Sequence, residues 1–276
     1  VADLRERSGA PLMDCKRALS ATQGDVEQAF DHLRKAGLKS ADKKSARSMG
    51  EGRVQTKIAP DKRSGVMVAL TCETDFVAKT DDFQALLGRL CDHVAANRPD
   101  TPEAMQDQIL AGGKDTVKDA IKGLIGKLGE NMQVARLACY ENPKGYVGGY
   151  LHHTGKVGAL LSITTDAKPD AVDAFLKRIG MHVSASKPTA LTREEVPAEA
   201  IEREKAVFRE SEDVKSKPAD KQEMILKGKL EKFFEGQVLL EQPWVHEPKM
   251  TVAKALAAEL GKGAKIERFA LFQVGA

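Results

Sequence analysis

Nowhere does this chain contain a Gly-x-x-x-x-Gly-Lys-[Ser/Thr] phosphate loop, so the commonest device for holding a nucleoside triphosphate is missing and no direct nucleotide binding is expected. Gly112-Gly113-Lys114-Asp115 and Gly126-Lys127-Leu128 lack the spacing and the hydroxyl, and read as a surface turn and a helix end. His152 and His153 are adjacent, strand neighbours point to opposite faces, and no second ligand cluster accompanies them, so neither metal nor other cofactor is expected. Cys15, Cys72, Cys91 and Cys139 show no Cys-x-x-Cys spacing and read as buried, reduced thiols. No apolar run approaches the roughly 20 residues that span a bilayer. Charges at Asp3, Arg5, Glu6 and Arg7 stand where a signal peptide carries its apolar stretch, so a cytoplasmic protein without membrane contact is expected. Net charge is also small: 43 Lys and Arg against 40 Asp and Glu leave +3, which argues against a dedicated nucleic-acid binder.

What is present is ample apolar material, 42% of 276 residues, enough for two or three small cores. Residues 1–38 read as three short helices: Ser8-Gly9 ends the first, Pro11 opens the second, Gly24 ends it and Asp25 caps the third. Their apolar faces are Leu4, then Leu12, Cys15, Ala18 and Leu19, then Val26, Ala29, Phe30 and Leu33. From Arg34 to Arg63, ten basic residues stand against three acids, a local excess of +7. Such a run can grip phosphates, yet no aromatics are interleaved for base stacking, and a solvated linker is the commoner explanation.

A weak duplication organises the remainder. Gly65-Val66-Met67-Val68-Ala69-Leu70-Thr71 echoes Gly158-Ala159-Leu160-Leu161-Ser162-Ile163-Thr164, offset by 93 positions. The helical segment from Leu86 to Val94 echoes that from Phe175 to Val183, offset by 89. The first copy therefore holds four extra residues between strand and helix, within Cys72 to Gln84. A turn lengthened in one copy is dispensable for the shared fold, and loops on a rigid scaffold are where function is usually placed. Phe76, in that turn, fits neither the strand alternation before it nor the helical face of Phe83, Leu86, Leu87, Leu90 and Val94 after it. His93 and His182, at matching repeat positions, read as satisfied structural histidines.

The class expected is α+β: a three-helix unit with its basic linker (1–52), then two related subdomains with antiparallel sheets (53–140 and 141–276). Strands are expected over 53–58, 65–71, 133–140, 146–152, 157–164 and 266–274, and helices over 80–97 and 169–184. Residues 193–236 interrupt the second copy with a helical hairpin hinged at Lys217-Pro218. Its apolar stripes, Ala200, Ile201, Val207 and Phe208 against Met224, Leu226, Leu230, Phe233 and Phe234, are assigned to the contact between the arms, leaving the tip, 213–220, as a contact surface.

The thirteen residues from Thr71 to Phe83 resemble the signature of the bacterial elongation factor Ts family. So do Arg5-Glu6-Arg7-Ser8-Gly9-Ala10 with Met13-Asp14-Cys15-Lys16-Arg17-Ala18-Leu19, the Gly126 to Met132 segment, and Tyr150-Leu151-His152. The resemblance implies a ubiquitin-associated-like fold for the three helices and an antiparallel coiled coil for the hairpin. It implies a guanine nucleotide exchange factor that binds elongation factor Tu in its GDP-bound and nucleotide-free states, without bond-making chemistry. Thr74, Asp75, Phe76 and Val77 would then enter the partner's nucleotide and magnesium site. His152 would press on its phosphate-binding loop, with His153 standing where a small residue is usual. Arg5, Leu12 and Met13 would dock on its nucleotide-binding domain, although Leu12 and Met13 are equally ordinary core residues. Many members continue past the position of Val274-Gly275-Ala276 into a helical module, so a monomer, a homodimer and a two-plus-two complex all stay open. The rival readings are an RNA- or ribosome-associated module using the basic linker, and a ubiquitin-type adaptor; neither explains the Thr74 to Val77 turn.

Overall fold

Gly9 ends the first helix by taking φ +65° and donating its N–H to the Arg5 carbonyl at 2.8 Å. In the computed structural model, which describes residues 1–275 apart from the side chains of 38–40, 42, 43, 219 and 220, that helix is α1 (Ala2–Ser8). Lys39, Asp42 and Lys43 of the basic stretch, and Asp220 of the hairpin tip, therefore lie outside the described side chains. α2 (Leu12–Ala21) follows Pro11, and α3 (Val26–Lys44) starts at Asp25, whose carboxylate accepts from the Gln28 N–H at 2.9 Å. Leu4, Cys15, Ala18 and Ala29 form the buried centre of this unit. Leu12 and Met13, which the sequence left equally open as core or docking residues, are 51% and 62% exposed and so stand outside the core. One expectation fails here. α3 runs through the start of the basic stretch to Lys44, because it has a neighbour to pack on: Gly37 lies against Gly126, where a Cβ would come 2.8 Å from the Gly37 Cα.

The chain continues through β1 (Glu51–Ile58), β2 (Ser64–Cys72), α4 (Asp75–Ala78), α5 (Asp81–Asn97), α6 (Val117–Leu128) and β3 (Met132–Glu141). Next come β4 (Tyr146–Leu151), β5 (Val157–Thr164) and α7 (Pro169–Ser186), a 3-10 turn at Arg193–Glu195, then α8 (Ala198–Glu210), α9 (Glu212–Lys215) and α10 (Ala219–Gln237). β6 (Pro243–Trp244), β7 (Glu247–Thr251), α11 (Val252–Leu260) and β8 (Lys265–Gln273) complete it. The fold is thus mixed helix and sheet, with two antiparallel three-stranded sheets ordered β1-β2-β3 and β4-β5-β8 and a small β6-β7 ribbon.

The sheets match in detail. The β2–β3 register shifts between Ala69 and Leu70 and the β5–β8 register between Ser162 and Ile163, again 93 positions apart. α5 and α7 both end on a left-handed non-glycine residue, Arg98 (φ 48°) and Lys187 (φ 47°), 89 positions apart. His93 and His182 are fully buried, and each places Nε2 2.9 Å from a glutamine Oε1, of Gln108 and Gln242 respectively.

Alternation along the central strands builds four layers. Val66, Val68 and Leu70 pack under α5 and α6, while Met67 and Ala69 face the other sheet and meet Val147 and Leu160. Ala159, Leu161 and Ile163 pack under α7 and α11. The unbroken apolar runs of β2 and β5 thus record burial on both faces, helix on one side and sheet on the other. At Gly158 a Cβ would come 2.7 Å from Val54 Cγ1, so glycine lets the sheets touch.

The hairpin arms run antiparallel: Ile201 clusters with Phe233 and Phe234 at the root, and the Lys229 ammonium sits 5.5 Å above the Phe208 ring farther out. Val207 and Met224, assigned by sequence to the seam, are 57% and 75% exposed. The end of the hairpin also carries α9, whose Val214 is buried, where only a hinge was expected. Among the described residues no helix is long and apolar enough to cross a membrane, and no group of three or more His, Cys, Asp or Glu side chains is placed to hold a metal ion.

Candidate functional site

Eight residues, 73–80, separate β2 from α5, whereas four, 165–168, separate β5 from α7. The difference is α4 itself, a four-residue helical turn present in one half only. Thr74 caps it: its Oγ1 accepts from the Val77 N–H at 3.4 Å and donates to Glu130 Oε1 at 2.7 Å, while its own N–H donates to Glu130 Oε2 at 2.9 Å. Glu73 accepts from the Asn131 N–H at 2.7 Å, so the turn is stitched twice to the segment before β3. At the far end Thr80 Oγ1 donates to the Val77 carbonyl at 2.8 Å and caps α5 by accepting from the Phe83 N–H at 3.3 Å. Ala78 is buried and Val77 packs partly against the first core.

On this fixed base Phe76 is 79% exposed, the most exposed of the large hydrophobic side chains described. Asp75 beside it is bonded to Lys79 Nζ at 2.7 Å. That hydrogen bond holds its carboxyl below the usual carboxylate range, with Lys156 adding a smaller pull. Beneath the turn, Cys72 donates its thiol to the Thr74 carbonyl at 3.1 Å. Burial, reinforced by the charge of Glu130, pushes that thiol up to about 12, so it packs as a neutral group. Cys91 is likewise raised to about 12 by burial.

His152 joins this neighbourhood through β1. Val54 donates its N–H to the Gly155 carbonyl at 2.8 Å, and Arg53 bonds both the Ala78 carbonyl (Nε, 2.9 Å) and the Thr154 carbonyl (Nη1, 3.4 Å). The β4–β5 turn carrying His152 therefore rests on the same strand as α4. His152 Nδ1 accepts from the Thr154 N–H at 3.4 Å and lies 2.9 Å from Thr154 Oγ1, which leaves Nε2 to carry the ring proton of the neutral form. His153 is exposed, its ring centroid 4.0 Å from that of His152.

Arg5, Leu12 and Met13 occupy a different surface, on the three-helix unit. Arg5 and Leu12 line a shallow hollow with Val1, Ala2 and Glu6, and Met13 is 62% exposed. Met13 lies on the side of α2 away from Cys15 and Ala18, which fill the centre, whereas Leu12 shares their face but stands at the first residue of the helix, where it stays exposed. Four basic side chains of the stretch are ion-paired: Arg34 with Asp115, Arg47 with Glu73, Lys57 with Asp92 and Lys62 with Asp173. Sequence reasoning assigned no role to Glu130 or Arg53. Glu130 falls within the Gly126 to Met132 segment that carries part of the resemblance, whereas nothing in the pattern around Arg53 marks it.

The family model described as elongation factor TS matches residues 73–276, from the Glu73 that opens the turn to the end of the sequence. Among curated proteins, the chain is 38% identical over 278 residues to elongation factor Ts of Clostridium botulinum (strain Alaska E43 / Type E3), covering 100% of this chain and 91% of that protein. It is 38% identical over 281 residues to that of Prosthecochloris aestuarii, covering 100% and 97%. With elongation factor Ts of Bartonella bacilliformis it shares 41% identity over 284 residues, covering 100% and 91%.

Proposed function

The chain belongs to the elongation factor Ts family and so has a role in translation elongation; from that premise we propose that it is a guanine nucleotide exchange factor for elongation factor Tu. The factor binds the GDP-bound partner, disturbs its magnesium and phosphate site, and holds the nucleotide-free state until GTP enters. Thr74, Asp75, Phe76 and Val77 act at the magnesium site, His152 at the phosphate-binding loop, and Arg5, Leu12 and Met13 on the nucleotide-binding domain. The arrangement works in the cytoplasm, as a monomer, a homodimer or a two-plus-two assembly. The three helices with the linker (1–52) act as a ubiquitin-associated-like docking domain. Subdomains 53–140 and 141–276 are a duplicated core, and the coiled-coil hairpin (193–236) is an insertion into its second copy.

The observation that carries this reading is Phe76, held outward on a turn that is otherwise tied down at both ends. A nucleotide bound at nanomolar affinity is held by about −12 kcal/mol, so an exchange factor must offset several kcal/mol of lost contacts. Seating one phenylalanine supplies roughly 1.5–3 kcal/mol of that, with no ordering cost for the turn. Asp75 brings negative charge to a site where the partner's own anionic groups hold a cation. By linkage, GDP weakens the factor by the same coupling with which the factor weakens GDP. No covalent step is required.

The test separates partner binding from nucleotide binding. In gel filtration the chain should co-elute with nucleotide-free elongation factor Tu and be displaced by excess GDP with magnesium. Titrated alone with a fluorescent GDP analogue, it should not saturate. Micromolar saturable binding of GDP by the isolated chain, or a complex indifferent to GDP, would overturn the proposal.

A further inference from the structure

Arg53 stands on β1 between the two turns of the candidate site, half-buried. One of its partners, Ala78, is the last residue of α4. A helix this short cannot satisfy its own terminal carbonyls. Those of Phe76 and Val77 receive the amides of Lys79 and Thr80, and the Ala78 oxygen falls to the Arg53 Nε at 2.9 Å. The other partner, Thr154, is the residue that fixes the His152 ring, and its carbonyl lies 3.4 Å from Arg53 Nη1. Gly155 makes room for this: with φ +69°, it leaves open a position where a Cβ would come 2.4 Å from Nη1. A guanidinium is a planar fork of donors that can hold two carbonyls on different elements at a fixed relative angle; a lysine ammonium is a single point on a flexible stem.

We infer that Arg53 is a positioning residue that locks the Phe76 turn to the His152 turn, so that the two surfaces reach a partner as one rigid unit. The purpose of the lock rests on the exchange function proposed above, but the lock itself is a property of the free chain and is tested as such.

In the full chain, Arg53→Leu should raise amide hydrogen exchange across both 75–79 and 152–156 by about tenfold, the scale of a lost charge-assisted hydrogen bond. α5 and β5 should keep their protection. The same variant should slow GDP release from elongation factor Tu about three- to tenfold at limiting factor. Arg53→Lys, which keeps the charge and one donor direction, should be intermediate in both readouts. Unchanged amide exchange in either segment overturns the inference. So does a loosened Leu variant that releases GDP as fast as the native chain, or a Lys variant indistinguishable from native. If the native chain itself fails to stimulate release, the exchange reading falls while the amide measurement still decides the lock.

Discussion

Phe83 and Phe76 lie seven residues apart, one fully buried in the first turn of α5 and the other 79% exposed on α4. The difference was legible in the sequence because Phe83 falls on the apolar face that continues through Leu86, Leu90 and Val94, whereas Phe76 fits neither flanking period. Phe83→Ala should therefore open a core cavity and cost about 3–5 kcal/mol, while Phe76→Ala should leave the melting temperature nearly unchanged. Thermal melts of the two variants side by side check this, and a strongly destabilised Phe76→Ala would place that residue in the fold. Periodicity served less well for Leu12, Val207 and Met224, which fit helical apolar stripes yet stand 51%, 57% and 75% exposed. A stripe records which side of a helix is apolar, not how far the neighbouring element reaches to cover it. Arg53 was not legible at all, because its partners are two backbone carbonyls 25 and 101 residues away.

At the scale of elements, the strands and the two long core helices lie within a residue or two of where alternation and capping residues put them, as with Thr80 before α5 and Val157–Thr164 for β5. The four-residue difference between the repeat copies, counted from sequence, proved to be one helical turn, α4. Less visible were β6, β7 and α11, which follow the hairpin insertion where the repeat pattern had been lost. The hairpin itself shares little with the main cores. Its Val196, Ile201, Phe233 and Phe234 belong to a local cluster at its root. Arg193, lying over the Phe234 ring, ties that root to Glu231 and Glu241. The Ala190–Val238 bridge lies outside the arms and can close the gap without them. Replacing residues 194–235 with a short Gly/Ser linker should therefore lower the helical circular dichroism signal and keep one cooperative melt. Loss of the cooperative transition would mean that the arms belong to the core.

For the whole molecule, the consequence of duplication is a back-to-back arrangement that neither half implies alone. Sequence reasoning expected a helix across each sheet; the two sheets also pack on one another through Met67, Ala69, Val147 and Leu160. That contact was hidden because a fully apolar strand reads the same whether its second face meets a helix or a sheet. It sets β1 of the first half against the β4–β5 turn of the second, where Arg53 bonds one carbonyl of the Phe76 turn and one of the His152 turn. The central claim, proposed above, is that these two turns drive nucleotide exchange with Phe76 as the point of entry. Stopped-flow release of labelled GDP from elongation factor Tu, at limiting concentrations of native and Phe76→Ala chain of equal stability, addresses it directly. Loss of a buried aromatic contact typically costs 2 kcal/mol or more, so the variant should release GDP at least about tenfold more slowly. Equal rates for the two proteins would contradict the account.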